Sequence, residues 1–151
     1  MAIRWVFKSY DTLTVAELYA LLRLRSEVFV VEQNCVFLDM DDKDQYCHHL
    51  LGYKHDLLAA YTRIVPQGIS YPEYPSIGRV VTSPQARGQG LGKVLMEESI
   101  QRLFSLYGEG PIKIGAQLYL KKFYESLRFE QCGEVYDEDG IDHLPMLQRL
   151  H

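Results

Sequence analysis

Residues 3–8, "IRWVFK", alternate apolar and polar side chains, the period of a strand with one face buried. The period then lengthens. In "TVAELYALLRLRSEVFVVEQ", residues 14–33, Val15, Leu18, Leu22, Val28 and Phe29 recur at helical intervals. Thr14 and Glu17 stand at capping-box spacing, so a first helix is predicted there. Residues 34–46, "NCVFLDMDDKDQY", lose periodicity and gather acid, the mark of a loop or short helix. Two strands are predicted at 48–53 and 57–65, turning in a hairpin at "KHD". "QGISYPEYP", residues 67–75, reads as a surface loop ahead of a strand over 76–83, "SIGRVVTS".

Beyond a cluster of glycines, Leu95, Met96, Ser99, Leu103 and Leu106 share one helical face, with Lys93, Glu97, Gln101 and Ser105 opposite. "PIKIGA" then gives a strand, "LYLKKFYESL" a helix, and residues 129–150 two strands turning at Asp139-Gly140. The order β-α-loop-β-β-β-α-β-α-β-β sets an antiparallel meander before a β-α-β crossover. That predicts a mixed sheet in an α+β or α/β layered domain.

Composition narrows the partners more than the fold. The 151 residues suit a single domain, 1–151, and 47% hydrophobic with 24% charged residues is ordinary for a globular chain. A net charge of −4 with no basic stripe argues against nucleic acid. No apolar run approaches the roughly 18 residues of a membrane span, and "MAIRWVFKSYD" lacks a signal peptide's apolar core, so a cytoplasmic protein without a membrane partner is expected. Cys35, Cys47 and Cys132 are odd in number and have no CxxC spacing, which fits reduced thiols and no cysteine zinc site.

Chemistry gathers in "TSPQARGQGLGKVL", residues 82–95. A dinucleotide fingerprint counted from Gly88 and Gly90 would put its third glycine on Lys93, and a Walker loop would need glycine at Arg87 and serine or threonine at Val94. Both fail. Two readings remain: bare amides at a helix start cradling an anion such as a pyrophosphate, or a tight strand-to-helix turn with no ligand. In the acidic run Asp39, Asp41, Asp42 and Asp44, a calcium loop would place Lys43 at a ligand position and Asp44 where glycine belongs, so no metal is expected. Tyr124, Glu32, His49 and His143 carry useful chemistry. Each also has a plain reading: a core aromatic beside Phe123, a helix-end carboxylate, a packed strand residue and a hairpin residue.

Arg87-Gly88-Gln89-Gly90-Leu91-Gly92 resembles the R/Q-x-x-G-x-G/A signature of the GNAT superfamily of N-acetyltransferases, with "IGRVVTSP" in the place of its central strand. "AQLYLKKFYESLRF", residues 116–129, is similar to that family's A-x-x-x-x-x-x-F-Y-x-x-x-G-F segment, with Arg128 replacing the glycine. "LRSEVFVVEQ", "IGRV", "GAQ" and "YDEDGIDH" resemble the ElaA subgroup, and the matches run from about residue 21 to 146. The resemblance implies a GNAT-like acyl-CoA N-acyltransferase fold: a mixed, mostly antiparallel sheet of about six to seven strands flanked by about four helices.

It implies further that strands 76–83 and 112–116 splay apart around acetyl-CoA. Backbone of Val80, Val81 and Thr82 would pair with pantetheine, amides of Arg87, Gly88, Gln89, Gly90, Leu91 and Gly92 would hold the pyrophosphate, and Arg87 and Lys93 would add charge. Lys121 and Lys122 either screen the ribose phosphate or form an ordinary basic helix face. The implied reaction is direct acetyl transfer to a primary amine of a small molecule or peptide. Tyr124 would protonate the leaving sulfur, the Val81 amide would lie near the carbonyl oxygen, and Glu32, His49 or His143 would take the amine's proton. The acidic run falls beside the acceptor entrance in this resemblance, where it would attract a cationic amine. A CoA-binding sensor without turnover and a transferase of another acyl group are the alternatives. Exposed sheet edges make a homodimer reasonable.

Overall fold

In the computed structural model, which describes residues 2–149, β1 (Arg4–Ser9), β2 (His48–Lys54), β3 (Leu57–Val65) and β4 (Ser76–Thr82) form an antiparallel sheet in that order. β5 (Ile112–Gln117), β6 (Phe129–Gln131), β7 (Tyr136–Glu138) and β8 (Ile141–Gln148) form a second sheet, in which β8 pairs antiparallel with the other three. Leu150, the end of the segment predicted to hold the last strands, lies outside the described residues. That segment contains three strands, not two, because the chain between Gln131 and Tyr136 leaves the ladder before returning to it.

The "KHD" hairpin forms as predicted, with His55 at φ 55°, the left-handed conformation such a turn requires. The predicted mixed sheet is corrected in one respect: among the described residues every ladder is antiparallel. β4 and β5 start side by side, where the Lys113 amide donates to the Pro75 carbonyl at 3.1 Å, and no ladder joins them further along. β3 takes one edge of β4 and β8 one edge of β5. Between the two sheets, backbone edges are left unpaired, and unpaired strand edges recruit extended ligands.

Among the described residues there are three α-helices where about four were expected: α1 (Val15–Arg25), α2 (Leu91–Tyr107) and α3 (Lys121–Glu125). The capping box is real: the Glu17 amide donates to Thr14 Oγ1 at 3.0 Å and the Thr14 amide to Glu17 Oε1 at 2.8 Å. Yet the periodic stretch 14–33 is not one regular helix. From Ser26 to Glu32 it winds as a π-helix, with Gln33 and Cys35 amides bonding the carbonyls of Val28 and Val30. The consecutive Val28, Phe29, Val30 and Val31, all poor α formers, make that departure inexpensive. α3 is shorter than "LYLKKFYESL" because Leu118–Leu120 make a tighter turn first. Arg128, in the place of the family's glycine, sits at φ 71° and bears the strain a glycine would avoid.

The first sheet is covered on both faces. Leu21, Leu24 and Val28 pack on Leu51, Leu58, Tyr61 and Val81, whereas Leu91 and Leu95 pack on Leu50, Ala59 and Ala60. Adjacent Leu50 and Leu51 thus face opposite layers. Met96 and Leu103 reach over both sheets to Ile64, Ile77, Ile112, Ile114 and Leu144. Leu95, Met96, Ser99 and Leu103 are buried as predicted, while Leu106 near the helix end is 37% exposed.

The acidic run is part of the interior. Arg25, wholly buried, donates from Nε to Asp39 Oδ2 and from Nη1 to Asp44 Oδ1, both at 2.8 Å. Arg63 joins Asp44 at 3.0 Å and grips Asp41, and Arg79 meets Asp39 at 2.8 Å. Three carboxylates are matched by three guanidinium groups. The expected field for a cationic amine is therefore largely cancelled, and Asp42 alone of the four is exposed.

Candidate active site

At the end of β4 the chain makes a short turn over Pro84–Ala86, capped by Ser83, and enters the glycine loop. Gly88 at φ 87° and Gly90 at φ 72° hold conformations that side chains rarely adopt, and a Cβ on either would meet nothing. Their demand is conformational. Gly92 differs: a Cβ there would make an ordinary contact with Phe123 Cζ at 3.7 Å, so α2 lies against α3 at this point without requiring a glycine. Gly90 is the N-cap of a 17-residue helix whose first amides have no internal partner and whose dipole is positive at this end. Gly88, Gln89 and Gly90 are exposed, as is Lys93, while the Leu91 side chain is buried. The arrangement can bind an anion at backbone N–H groups. Val80 and Thr82 on the strand leading to it are half-buried, and Val81 faces the α1 layer.

Arg87 turns back from the loop. Its Nη1 and Nη2 donate to the two carboxylate oxygens of Glu32, each at 2.7 Å, and Nη2 also donates to the Thr82 carbonyl at 3.2 Å. Hydrogen bonding to Arg87 holds the Glu32 carboxyl below its usual range. Two residues expected to serve different substrates are thus each other's partner, joining the end of the π-helix to the glycine loop.

His49 is fully buried. Its Nε2 lies 2.9 Å from the Asp44 carbonyl, so Nε2 carries the hydrogen, and Nδ1 accepts from the Tyr61 hydroxyl at 2.6 Å. Burial lowers its pKa and keeps it neutral. With both nitrogens engaged and no surface, its geometry is that of a core residue, not of a base within reach of an acceptor. The reason lies in β2: His48 and His49 alternate, and His49 takes the interior side.

Tyr124 is 5% exposed and packs edge-on against Phe123 and Phe129 at 5.1 and 6.0 Å between ring centroids. Burial, then the neighbouring Tyr119, pushes its hydroxyl pKa up, so the phenol keeps its proton. His143 on β8 directs Nδ1 to the Ile141 carbonyl at 2.8 Å and Nε2 toward Glu138 Oε2 at 3.3 Å, and its ring stacks on Tyr136.

The sequence reading missed one group on the same strand pair. Gly115 of β5 is exposed between the buried Ile114 and Ala116. A Cβ there would lie 2.5 Å from Tyr136 Oη and 3.3 Å from Tyr71 Oη. Lys113 lies over the Tyr71 ring at 4.8 Å. Gln117 and Gln33 oppose their amides at 3.4 Å, and Cys35 Sγ donates to the Asp139 carbonyl at 3.0 Å, tying the β7–β8 hairpin to the chain after the π-helix. A glycine inside the strand pattern "PIKIGA" was the available signal for close approach.

Comparison with known proteins agrees with this geometry. A family model described as an acetyltransferase (GNAT) domain matches residues 27–150. The protein ElaA of Escherichia coli is 41% identical over 150 residues, covering 98% of this chain and 97% of ElaA. The crystal structure of Escherichia coli ElaA superposes with a TM-score of 0.90 at 40% identity, covering 98% of this chain and 100% of that one. An acyl-CoA N-acyltransferase from Pseudomonas aeruginosa gives a TM-score of 0.92 at 41% identity, covering 97% and 99% of the two chains. With the glycine loop, the parted strands and these likenesses in agreement, the chain belongs to the GNAT family, with the acyl-CoA N-acyltransferase fold, and is ElaA-like.

Proposed function

We propose that the protein transfers an acetyl group from acetyl-CoA to a primary amine by direct attack. The observation that carries this reading is the glycine loop at the start of α2, with exposed amides beside the open edges of β4 and β5. A pyrophosphate suits those amides, and extended pantetheine suits the backbone of Val80, Val81 and Thr82. Bound acetyl-CoA supplies an activated thioester. The Val81 amide is the proposed donor to its carbonyl oxygen, and Tyr124, protonated because burial disfavours its anion, gives a proton to the departing sulfur. Glu32 and His143 are the proposed routes for the amine's proton, directly or through water.

Calorimetry with acetyl-CoA, CoA and longer acyl-CoAs, followed by thiol release over an amine panel, tests the reading. Tyr124→Phe is expected to keep acetyl-CoA affinity and lower kcat at least about tenfold, as loss of a general acid does. An unchanged kcat removes Tyr124 from the mechanism. Binding without thiol release on any amine favours a sensor, and preference for a longer chain favours another acyl group.

A further inference from the structure

We propose that the paired hydroxyls of Tyr71 and Tyr136 above Gly115, a notch whose floor is bare backbone, are the docking point for the acceptor's nitrogen, which must be a primary amine. This rests on the donor lying between β4 and β5 as proposed above.

β4 and β5 begin together at Pro75 and Lys113, and the glycine loop lies at the far end of β4. A donor with its pyrophosphate on that loop and its pantetheine running back along Thr82, Val81 and Val80 points its reactive end toward the closed end of the wedge. Gly115, two residues along β5 from Lys113, stands at that depth. Its neighbours Ile114 and Ala116 face the core shared with α2, so Gly115 faces the opposite side of the strand. Donor and acceptor would therefore meet from opposite faces of the parted strands.

Chemistry follows from the two phenols. Both oxygens lie within 3.3 Å of the point where a Cβ on Gly115 would stand. Neither makes a hydrogen bond to another group among the described residues. Burial raises the pKa of both phenols, that of Tyr71 to about 12, so they act as neutral hydroxyls and not as bases. Phenol oxygens accept from N–H donors, and a primary amine has enough of them to reach both while its carbon chain leaves along one direction. A neutral secondary amine has a single N–H and can reach only one of the two hydroxyls, and the space over Gly115 is already filled by Tyr136 Oη, which leaves no room there for an N-methyl group. On transfer, the nitrogen lone pair forms the bond to the acyl carbon, the carbon–sulfur bond breaks, and sulfur leaves with that electron pair and takes a proton. The nitrogen loses one proton, for which His143, stacked on Tyr136, is the adjacent acceptor.

The test compares wild type with Tyr71→Phe, Tyr136→Phe, the double variant and Gly115→Ala. Acetyl-CoA affinity is measured by calorimetry, and thiol release with ethanolamine, 1,4-diaminobutane, lysine amide and the N-methyl derivative of each. The expected result is acetyl-CoA affinity within about twofold of wild type throughout, with kcat/KM for the primary amines at least about tenfold lower in the double variant and in Gly115→Ala, and wild-type preference for primary over N-methyl amines. The phenylalanine variants keep the ring packing, so they read the hydroxyls even where Gly115→Ala disturbs Tyr136. Wild-type kcat/KM in the double variant, equal use of N-methyl amines, or turnover of no amine in the panel overturns the notch assignment while leaving the donor site standing. A wild type that fails to bind acetyl-CoA overturns the donor site itself, and the notch with it.

Discussion

Arg25→Met leaves an apolar stem of similar length where a guanidinium stood, and removes the positive charge at the centre of the buried network. Asp39 loses the Nε donor at 2.8 Å but keeps Arg79, and Asp44 loses the Nη1 donor at 2.8 Å but keeps Arg63 at 3.0 Å. Stripping one partner from a buried ion pair usually costs about 3–5 kcal/mol. Because neither carboxylate is wholly abandoned, the low end applies, about 3 kcal/mol, a sizeable share of the 5–15 kcal/mol typical of a domain. For a chain of this size that is a fall in Tm of about 6–12 °C. Urea unfolding at pH 7, with equal slopes for the two proteins, measures it. The pH dependence gives a second check. Burial alone would raise Asp44, yet the Arg25 and Arg63 guanidinium groups hold it below the usual carboxylate range, and Asp41 is likewise lowered by Arg63 and Arg79. A depressed carboxylate contributes stability that is complete above the unfolded-state pKa, near 4, and lost as pH falls through the folded value. The gap between wild type and Arg25→Met is therefore expected to narrow in acid. A loss under about 1 kcal/mol at pH 7, or a gap that widens in acid, refutes the reasoning.

Gly90→Ala is expected to cost about 1 kcal/mol through its φ of 72° and to weaken CoA binding; since the added Cβ meets no protein atom, a calorimetric affinity equal to wild type would count against a phosphate at this loop. Glu32→Gln removes a pair that is about two-fifths exposed on each side, so stability should change by less than about 1 kcal/mol. The same change leaves Arg87 unneutralised, and CoA is expected to bind more tightly at low salt; weaker binding would mean that the pair braces the loop. At pH 8 in native buffer, a thiol reagent should modify Cys132, which is exposed, and spare Cys47, which is 2% exposed and whose pKa burial raises to about 11; rapid modification of Cys47 would contradict its placement.

Local signals in the sequence translated well. The Thr14–Glu17 box, the "KHD" hairpin, the helical face of Leu95, Met96 and Leu103 and the glycine loop all depend on residues close in the chain, where spacing determines geometry. What escaped depends on residues brought together by the fold. The run from Asp39 to Asp44 read as an acidic loop with a field for a cationic amine because Arg25, Arg63 and Arg79, which neutralise it, stand on α1, β3 and β4. Glu32 and Arg87 are 55 positions apart and carried separate roles until the π-helix brought them within 2.7 Å. His48 and His49 were equivalent as a pair of letters, and only the side of β2 on which the core lies separates them. Tyr71 and Tyr136 were two of 11 tyrosines, and nothing near either of them marks the bare Gly115 between their hydroxyls.

The arginine-bound segment from Asp39 to Asp44 also limits redesign. It resembles the sort of connecting loop in which libraries are placed to alter substrate choice, yet varying any of Asp39, Asp41 or Asp44 would disturb contacts to two elements, and the three together reach a helix and two strands. Diversity is better placed on the β7–β8 hairpin, where residues 134–140 are exposed and Cys35 Sγ meets a main-chain carbonyl at Asp139, a contact indifferent to the side chain there. A library confined to Glu134, Val135 and Asp139 would leave Tyr136 and the folded scaffold alone and would test whether this hairpin borders the proposed acceptor site.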